Sequence, residues 1–407
     1  MLAEEPVAQH RQAPTNTDLF NPTEEHQALR EMVRAFAERE VWPQAREHDR
    51  LEKFNRTLFK KAGDLGLHGI TVPERMGGAG MDATASVIVH EELSAADPGF
   101  CLAYLAHAML FVNNFYQNAN AEQRARVLPK VISGEWVAGM GMSEPQAGTD
   151  ALAMRTTAVR DGDDYILNGA KMWITNGTVG DGELGDCFLV YAKTGTAKGR
   201  ALSSFLVEKG MPGFRLGQHI KDKLGMRASA TAELVFEDCR VPLANRIGEE
   251  GDSTMHMMRN LELERLTLAA MSLGIARKSI EIMNNYASER HAFGQPIRAF
   301  GQIQKHLADS YAEYMAGRAY VYATAAALQL DRQGNRLDSD GVKLYCTTMA
   351  KNVADRAIQT LGGYGYVGEY HVERLWRDAK LLEIGGGTLE AHQKNIAQDL
   401  RRVATLR

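Results

Sequence analysis

A carboxylate within an apolar helical stripe is the feature of this sequence with the clearest chemical meaning. In residues 260–274, Leu261 and Leu268 recur at helical spacing on the same side as Glu264. No lysine or arginine stands three or four residues from Glu264, and Arg265 points about 100° away around the helix. Burial raises the pKa of an unpaired carboxyl group, which suits a general base acting on carbon. The pattern therefore indicates a base at Glu264, and the alternative is a helical glutamate that reaches solvent or another helix.

The elements that must position this residue begin with helices. Asn21-Pro22-Thr23-Glu24 has the residue types of an N-cap, a proline at the first helical position and a glutamate at the third. Helical patterns continue to about residue 135 and are interrupted by a glycine-rich turn at 72–82. We expect residues 1–20 to form a flexible extension and residues 21–137 an α-helical domain.

The middle third changes to short apolar runs separated by turn signals, with Asp161-Gly162 and Asn168-Gly169 as hairpin candidates. This texture predicts a β-barrel-like domain at 138–251. The helical period then returns, and a four-helix C-terminal domain is predicted at 252–407. Its long helices are expected near 252–289, 300–330, 338–361 and 388–404. A ligand held between the β domain and the helices would explain this order.

Charge and composition exclude several classes of function. The 407 residues carry a net charge of -4 and contain no block of lysine and arginine. The sequence therefore gives no reason to expect a general electrostatic attraction to nucleic acid. The four cysteines lack metal-binding spacing, and their sparsity fits a reducing compartment. No window approaches the ~20 apolar residues of a membrane span, and the N-terminal segment lacks the apolar core of a signal peptide. We expect a cytoplasmic protein without metal, nucleic acid or membrane partners.

One glycine-rich segment matches a dinucleotide-binding motif only by its letters. Residues 363–368 spell GxGxxG, and Asp378 follows at a distance typical of a ribose-binding carboxylate. A dinucleotide fingerprint requires a strand before its glycines, whereas the apolar residues at 342–357 recur at helical spacing. Gly362 is therefore predicted to be the C-cap of a helix.

Five segments in the same order and spacing resemble the acyl-CoA dehydrogenase family. They are GMSEPQAGTD (141–150), KMWITNG (171–177), ERHAFGQPI (289–297), QTLGGYG (359–365) and RDAK with EIGGGT (377–388). The resemblance runs from about residue 22 to the C-terminus. It implies a mainly helical fold with a central β domain, in which FAD and an acyl-CoA thioester meet, usually in a homotetramer. It also implies that electrons pass to an electron-transferring flavoprotein.

The resemblance assigns a first group of FAD-binding residues to a turn and the strand beyond it. They are Met142, Ser143, Gly148, Thr149, Trp173 and Thr175. Small and hydroxylated residues on a turn bring backbone N–H groups close to a flavin or phosphate. Trp173 and Thr175 are two apart on a strand, so they face the same way, and the resemblance places them beside the isoalloxazine and near its N5. The alternatives are an ordinary turn and a core tryptophan.

A second group is implied to hold the adenosine and pyrophosphate of FAD from a neighbouring subunit, which would complete the active site only in the oligomer. Its members are Arg290, Phe293, Gln359, Gly362 and Gly363. Gln302, near them in the sequence, is implied to contact the flavin, and Thr388 and Glu390 match a further flavin-contacting pair. Gly301 stands where relatives often have glutamine, and Gln302 would compensate. An arginine fork suits a pyrophosphate, although Arg290 could also be a solvated helix end.

The catalytic base can be assigned because this sequence differs from many family members near the C-terminus. Many family members carry it in a Tyr-Glu-Gly-Thr segment near the C-terminus, where this chain has glycines at 385–387. The isovaleryl-CoA dehydrogenase branch, similar to LELER here, places a glutamate at the position matching Glu264. The resemblance thus implies that Glu264 removes the α-proton, a hydride passes to flavin N5, and a trans-2-enoyl thioester forms. Implied substrate contacts are Glu262 (for an aspartate that meets pantetheine), Arg265, Gly385 (leaving room for a branch) and Gly386.

The acyl group is set less firmly by the sequence. The helix at 105–112 is expected to form the floor of the acyl pocket, and the bulk of Met109, Leu110 and Phe111 favours a short chain such as isovaleryl-CoA. Longer terpenoid acyl-CoA or carrier-bound acyl substrates are alternatives, because methionine side chains adapt. So are a flavin oxidase or monooxygenase on the same fold, a DNA-associated flavoprotein and a scaffold without cofactor.

Overall fold

The computed structural model describes residues 18–180, 182–195 and 201–403. All but the last three residues of the predicted extension at 1–20 lie outside this part, as does residue 404, the predicted end of the last helix. Up to residue 132 the described chain is helical, with α1 Glu24–Phe36, α2 Trp42–Leu51, α3 Arg56–Asp64, α4 Ala83–Ala96, α5 Pro98–Leu105, α6 Asn114–Asn118 and α7 Ala121–Ile132. Two π-helical turns, Ala37–Val41 and Ala106–Asn113, join α1 to α2 and α5 to α6.

The first helix begins two residues later than predicted. Thr23, not Asn21, is the N-cap of α1, and its hydroxyl accepts the N–H of His26 at 3.2 Å. Asn21 instead accepts a hydrogen bond from Arg30 Nε at 2.7 Å. The prediction was wrong because Thr23 is itself a good capping residue, which leaves Asn21 free for a tertiary contact.

The middle of the chain forms the predicted central β region. Its strands are β1 Ala138–Gly141, β2 Thr157–Asp161, β3 Asp164–Thr175, β4 Thr178–Gly180, β5 Glu183–Leu184, β6 Cys187–Thr194, β7 Ala201–Glu208, β8 Phe214–Ile220, β9 Thr231–Pro242 and β10 Arg246–Ile247. One eight-stranded sheet has the order β10-β7-β6-β2-β3-β9-β8, and β1 pairs in parallel with β6. Strands β4 and β5 pair separately.

One of the two predicted hairpins is present. Asp161 pairs with Asp164, and Gly162 turns the chain between β2 and β3 with φ 62°. Asn168-Gly169, by contrast, lies inside β3, where the pairing with β9 shifts register. That prediction was wrong because Gly169 serves a close approach: a Cβ there would lie 2.8 Å from the Cα of Thr156.

The C-terminal part is again helical, and the four predicted helices are confirmed. The helices are α8 Ser253–Glu289, α9 Gly301–Ala327, α10 Arg336–Leu361, α11 Val372–Leu382 and α12 Leu389–Leu400, and a small hairpin of β11 His291–Ala292 and β12 Gln295–Pro296 joins α8 to α9. Helix α11 was not predicted. The mainly helical fold with a central sheet is confirmed, while the predicted domain boundaries remain predictions.

Helix α8 is the central element of the fold. Every residue from 260 to 276 is buried, and the helix packs against α4, α9 and α10. The predicted apolar stripe was therefore too narrow, since this stretch of α8 is enclosed on all sides. Arg277 of α8 bonds to Glu92 of α4 at 2.6 Å, and Arg30 of α1 bonds to the same residue at 2.6 Å. These buried ion pairs fix α8 against the N-terminal helices.

The four cysteines are buried free thiols, in agreement with the absence of disulfides expected from their sparsity. Burial raises the pKa of Cys239 to about 11. Among the described helices, none has the length and hydrophobicity needed to cross a membrane.

Candidate active site

Glu264 lies on the buried stretch of α8 with only 7% of its surface exposed. Its Oε2 atom has no hydrogen-bond partner among the described residues. Burial raises the pKa of Glu264 to about 7, against the opposing charges of Arg265 and Lys343. A carboxylate with these properties is poised to accept a proton near neutral pH.

The two nearest cations bond to other groups. Arg265 Nη1 lies 3.0 Å from Asp340 Oδ1, and the ammonium of Lys343 donates to the carbonyl of Gly387. Neither forms a hydrogen bond with Glu264 in the part of the chain that the structure describes. Their charges therefore moderate its pKa without satisfying the carboxylate.

Three residues of this network were missed by sequence reasoning: Asp340 and Lys343 on α10 and His392 on α12. His392 Nδ1 lies 2.6 Å from Asp340 Oδ1, and all three residues are buried. In the sequence, Asp340 and Lys343 stand beside Val342, one of the apolar residues at helical spacing in α10, and this is the only sign of their role. Helical period alone does not show that α8, α10 and α12 meet at these residues.

The glycine loop, defined as residues 385–387, passes directly beside the carboxylate. Gly386 has φ 67°, and a Cβ there would lie 3.4 Å from Glu264 Oε1 and collide with Leu268. At Gly385 a Cβ would meet only Leu381, with its carbonyl oxygen at 3.6 Å. The positive φ and the contact with Leu268 therefore disfavour any side chain at position 386, whereas Gly385 leaves space. The predicted substrate contacts of both residues remain predictions.

The residues after the glycine loop begin α12. Thr388 is the N-cap, and its hydroxyl accepts the N–H of Ala391 at 3.3 Å. Glu390 is exposed in the first turn. The predicted flavin contacts of Thr388 and Glu390 are untested by this geometry.

The carboxylate of Glu262 has a definite structural partner. It accepts the backbone N–H groups of Gly334 at 3.2 Å and Asn335 at 2.9 Å, at the connection between α9 and α10. Burial raises the pKa of Glu262, and these hydrogen bonds oppose the shift. The predicted pantetheine contact would compete with these bonds.

The helix expected to form the floor of the acyl pocket is the π-helical turn at 106–113. Met109 and Phe111 are fully buried in the hydrophobic core, whereas Leu110 and Leu102 are half-buried on one face. Met109 and Phe111 belong to the hydrophobic core of the protein, and the prediction that this helix forms the floor of the acyl pocket stays a prediction.

The turn with the first group of predicted flavin contacts is fastened by a buried ion pair. Lys171 Nζ lies 2.8 Å from Glu144 Oε1, and the same carboxylate accepts the N–H groups of Arg155 and Thr156. Burial would raise the pKa of Glu144, but Lys171 and these hydrogen bonds lower it to about 2. Met142 and Ser143 are half-buried at the start of this turn, and Gly148 and Thr149 are exposed on it.

Trp173 is on the surface. Its side chain is 63% exposed, so it is not a core tryptophan. The register of β3 against β9 shifts between Lys171 and Ile174, and Trp173 has φ 66° at this bulge. Beyond the bulge, Ile174 is buried and Thr175 is half-buried. The predicted flavin contacts of Trp173 and Thr175 stay predictions.

The second group of predicted flavin contacts, together with Gln302, lies far from Glu264. All six residues are exposed, at the end of α8, the start of α9 and the end of α10: Arg290, Phe293, Gln302, Gln359, Gly362 and Gly363. Arg290 follows Glu264 by 26 residues along α8, which is about 39 Å at 1.5 Å per residue. This group cannot close over the Glu264 of its own chain.

The GxGxxG segment is a helix end. Helix α10 runs to Leu361, and Gly362 is its C-cap with φ 60°. Asp378 is buried and accepts the N–H of Met226 at 2.5 Å, so it serves the packing of α11. The rejection of a dinucleotide fingerprint is confirmed.

Comparisons with known proteins cover almost the whole chain. Residues 23–135 match the family model described as acyl-CoA dehydrogenase, N-terminal domain; residues 139–239 match its middle domain, and residues 254–401 its C-terminal domain.

Individual relatives agree with this match. The mitochondrial isovaleryl-CoA dehydrogenase of Pongo abelii is 42% identical, over 94% of this chain and 90% of the relative. A chain in a structure described as the electron transferring flavoprotein of Acidaminococcus fermentans has a TM-score of 0.89 and 37% identity, over 94% of this chain and 99% of its own. Butyryl-CoA dehydrogenase from Megasphaera elsdenii has a TM-score of 0.88 and 33% identity, over 95% and 99%.

Proposed function

Because the chain belongs to the acyl-CoA dehydrogenase family and is a flavin-dependent oxidoreductase, we propose that it oxidises a short or branched-chain acyl-CoA thioester to the trans-2-enoyl-CoA. The observation that carries the proposal is Glu264, a buried carboxylate on α8 whose Oε2 finds no hydrogen-bond partner among the residues that the structure describes and whose pKa burial raises to about 7. A base of this strength suits removal of a proton α to a thioester.

The protein's own groups would position the substrate and move one proton. Glu264 takes the α-proton, and the dry surroundings of α8 keep water away from the carboxylate. The backbone of the glycine loop, beside Glu264 Oε1, lies where it can orient the thioester. FAD, when bound, supplies the acceptor for the β-hydrogen at flavin N5.

The residues assigned to FAD fit such a group. A Cβ at Gly148, Gly362 or Gly363 would meet no atom within 4 Å, so a ligand can approach the backbone closely. Trp173, on a strand bulge, presents an exposed aromatic face suited to a flavin ring. We propose that one subunit contributes the turn at 142–149 with Trp173 and Thr175, and its neighbour contributes the group around Arg290.

The relatives guide the choice of substrate and electron acceptor. One relative is named for isovaleryl-CoA and one structural neighbour for butyryl-CoA. The open space at Gly385 favours a branch near the thioester. We propose isovaleryl-CoA or a similar acyl-CoA as substrate, an electron-transferring flavoprotein as acceptor and a homotetramer as the working form.

The test is an anaerobic titration of the purified, FAD-loaded protein with isovaleryl-CoA, butyryl-CoA, octanoyl-CoA and citronellyl-CoA, followed by flavin absorbance. Glu264→Gln is titrated in parallel. We expect bleaching by the short or branched substrates, and binding without bleaching in the variant.

Two results would overturn the proposal. If no acyl-CoA bleaches the flavin, the oxidase and non-catalytic alternatives take precedence. If Glu264→Gln bleaches as fast as the unmodified protein, the base lies elsewhere. Bleaching by citronellyl-CoA alone would replace the short substrate by the longer terpenoid class.

A further inference from the structure

His392 occupies a place that links three elements around the glycine loop. It lies on α12 and is fully buried. Its Nδ1 is 2.6 Å from Asp340 Oδ1 on α10, and its Nε2 is 3.0 Å from the carbonyl oxygen of Gly387. Asp340 in turn is 3.0 Å from Arg265, the residue after Glu264. A continuous polar chain therefore runs from Arg265 through Asp340 and His392 to Gly387.

Both ring nitrogens of His392 face acceptors. A neutral imidazole has one N–H, so it satisfies either Asp340 or Gly387, whereas the protonated ring satisfies both. Burial lowers the pKa of His392, the hydrogen bond that its ring donates to Asp340 opposes the shift, and the charges of Lys343 and Arg265 lower the pKa further. The neutral ring is therefore favoured near pH 7. It donates one hydrogen bond, to Asp340 or to Gly387, and only packs against the other.

The packing contact is close in either state. A Cβ at Gly387 would lie 2.9 Å from His392 Nε2, so the imidazole occupies the space beside the loop backbone. The ammonium of Lys343 bonds the same carbonyl from α10. Gly387 is thus held from two helices at once.

The held residue adjoins the base. Gly386 comes directly before Gly387, and a Cβ there would lie 3.4 Å from Glu264 Oε1. A shift of Gly387 would therefore move the loop backbone relative to the carboxylate. Misplacement of about 1 Å in reacting groups can reduce a rate by about 100-fold.

We propose that His392 and Asp340 are positioning residues, which hold the glycine loop at the distance from Glu264 that proton abstraction requires. The proposal rests on the proposed function for its effect on rate. Its structural part, that the pair holds the loop, is independent of the substrate.

The experiment compares His392→Gln and Asp340→Asn with Gln393→Ala, a control that alters the exposed next residue of α12. Hydrogen exchange of residues 383–391 is measured by mass spectrometry in the FAD-loaded protein. The rate of anaerobic flavin reduction and the dissociation constant of the acyl-CoA are measured on the same samples from pH 6 to 9.

We expect faster exchange of this segment in both variants, a flavin reduction rate lower by about tenfold or more, and a dissociation constant within about twofold. The control should behave like the unmodified protein. His392 and Asp340 belong to the same chain of hydrogen bonds. The double variant should therefore lower the rate of flavin reduction by less than the product of the two single-variant factors.

Exchange at the unmodified rate in both variants would overturn the proposal, whatever the thermal stability does. So would faster exchange with an unchanged rate of flavin reduction, because the loop would then move without consequence for the base. If no acyl-CoA reduces the unmodified protein, the proposed function fails, and hydrogen exchange alone decides whether the pair holds the loop.

Discussion

At the scale of the residue, the burial of Glu264 has two opposite effects. It raises the pKa of the carboxyl group to about 7, which makes a base. The same desolvation disfavours the ionised form in the folded protein but not in the unfolded chain. A residue that suits catalysis in this way reduces the stability of the protein that carries it.

We therefore expect Glu264→Gln to increase the free energy of unfolding at pH 8 by about 1–3 kcal/mol. For a carboxyl group with a raised folded pKa, the loss of stability begins near the unfolded value of 4.5 and is complete above about 7. The gain should shrink as the pH falls towards 5, where the unmodified residue is protonated in the fold. Urea unfolding at both pH values measures it, and an equal gain at both would contradict a desolvation effect.

At the scale of the element, one buried ion pair, Glu144 with Lys171, fastens the turn at 142–149. Lys171 is fully buried and Glu144 is 3% exposed. Replacing one partner leaves a buried charge without compensation, which typically costs about 3–5 kcal/mol. The pair thus fixes the turn against β3, the strand that carries Trp173.

Glu144→Gln should accordingly destabilise the protein by about 3 kcal/mol and weaken FAD binding, because the turn loses its attachment to β3. Chemical unfolding and flavin release on dilution measure the two effects. The matched control is Glu237→Gln, which removes the exposed pair of Glu237 with Arg215 at 2.7 Å; it should change neither quantity. Tight FAD binding in Glu144→Gln would show that the turn does not depend on the pair.

The sequence predicted elements better than their contacts. The position of α8 and the burial of Glu264 follow from a local period of 3.6 residues, which a single segment displays. The prediction of a hairpin at Asn168-Gly169 was wrong because the same two residue types also occur at a bulge inside a strand. His392 was not found because its role depends on the meeting of α8, α10 and α12, and local pattern does not encode that meeting.

At the scale of the whole molecule, the separation between Glu264 and the exposed group around Arg290 supports an active site shared between subunits. Such a site can be rebuilt from two defective chains. Gly362 has φ 60° and ψ -132°, a conformation that a valine side chain would strain, at the surface expected to face the flavin of a neighbour.

Glu264→Gln and Gly362→Val should each abolish flavin reduction by acyl-CoA, while coexpression of the two chains should restore part of it. In a mixed assembly, some sites combine an intact Glu264 with an intact Gly362 from the adjacent subunit. Activity of the tagged, purified mixture measures the recovery. A mixture as inactive as its parents would mean that each chain builds its site alone.

In such an assembly the length of α8 determines the spacing between the active sites of neighbouring subunits. In the proposed assembly, α8 would carry the base of its own subunit at Glu264, and its C-cap Arg290, 26 residues later, would lie beside the cofactor of a neighbour. Inserting a single residue between these points would rotate one end by about 100° and advance it by about 1.5 Å. If the proposed assembly is right, the length of α8 sets the distance between adjacent reaction centres, and we expect the number of residues between Glu264 and Arg290 to vary far less than their identities.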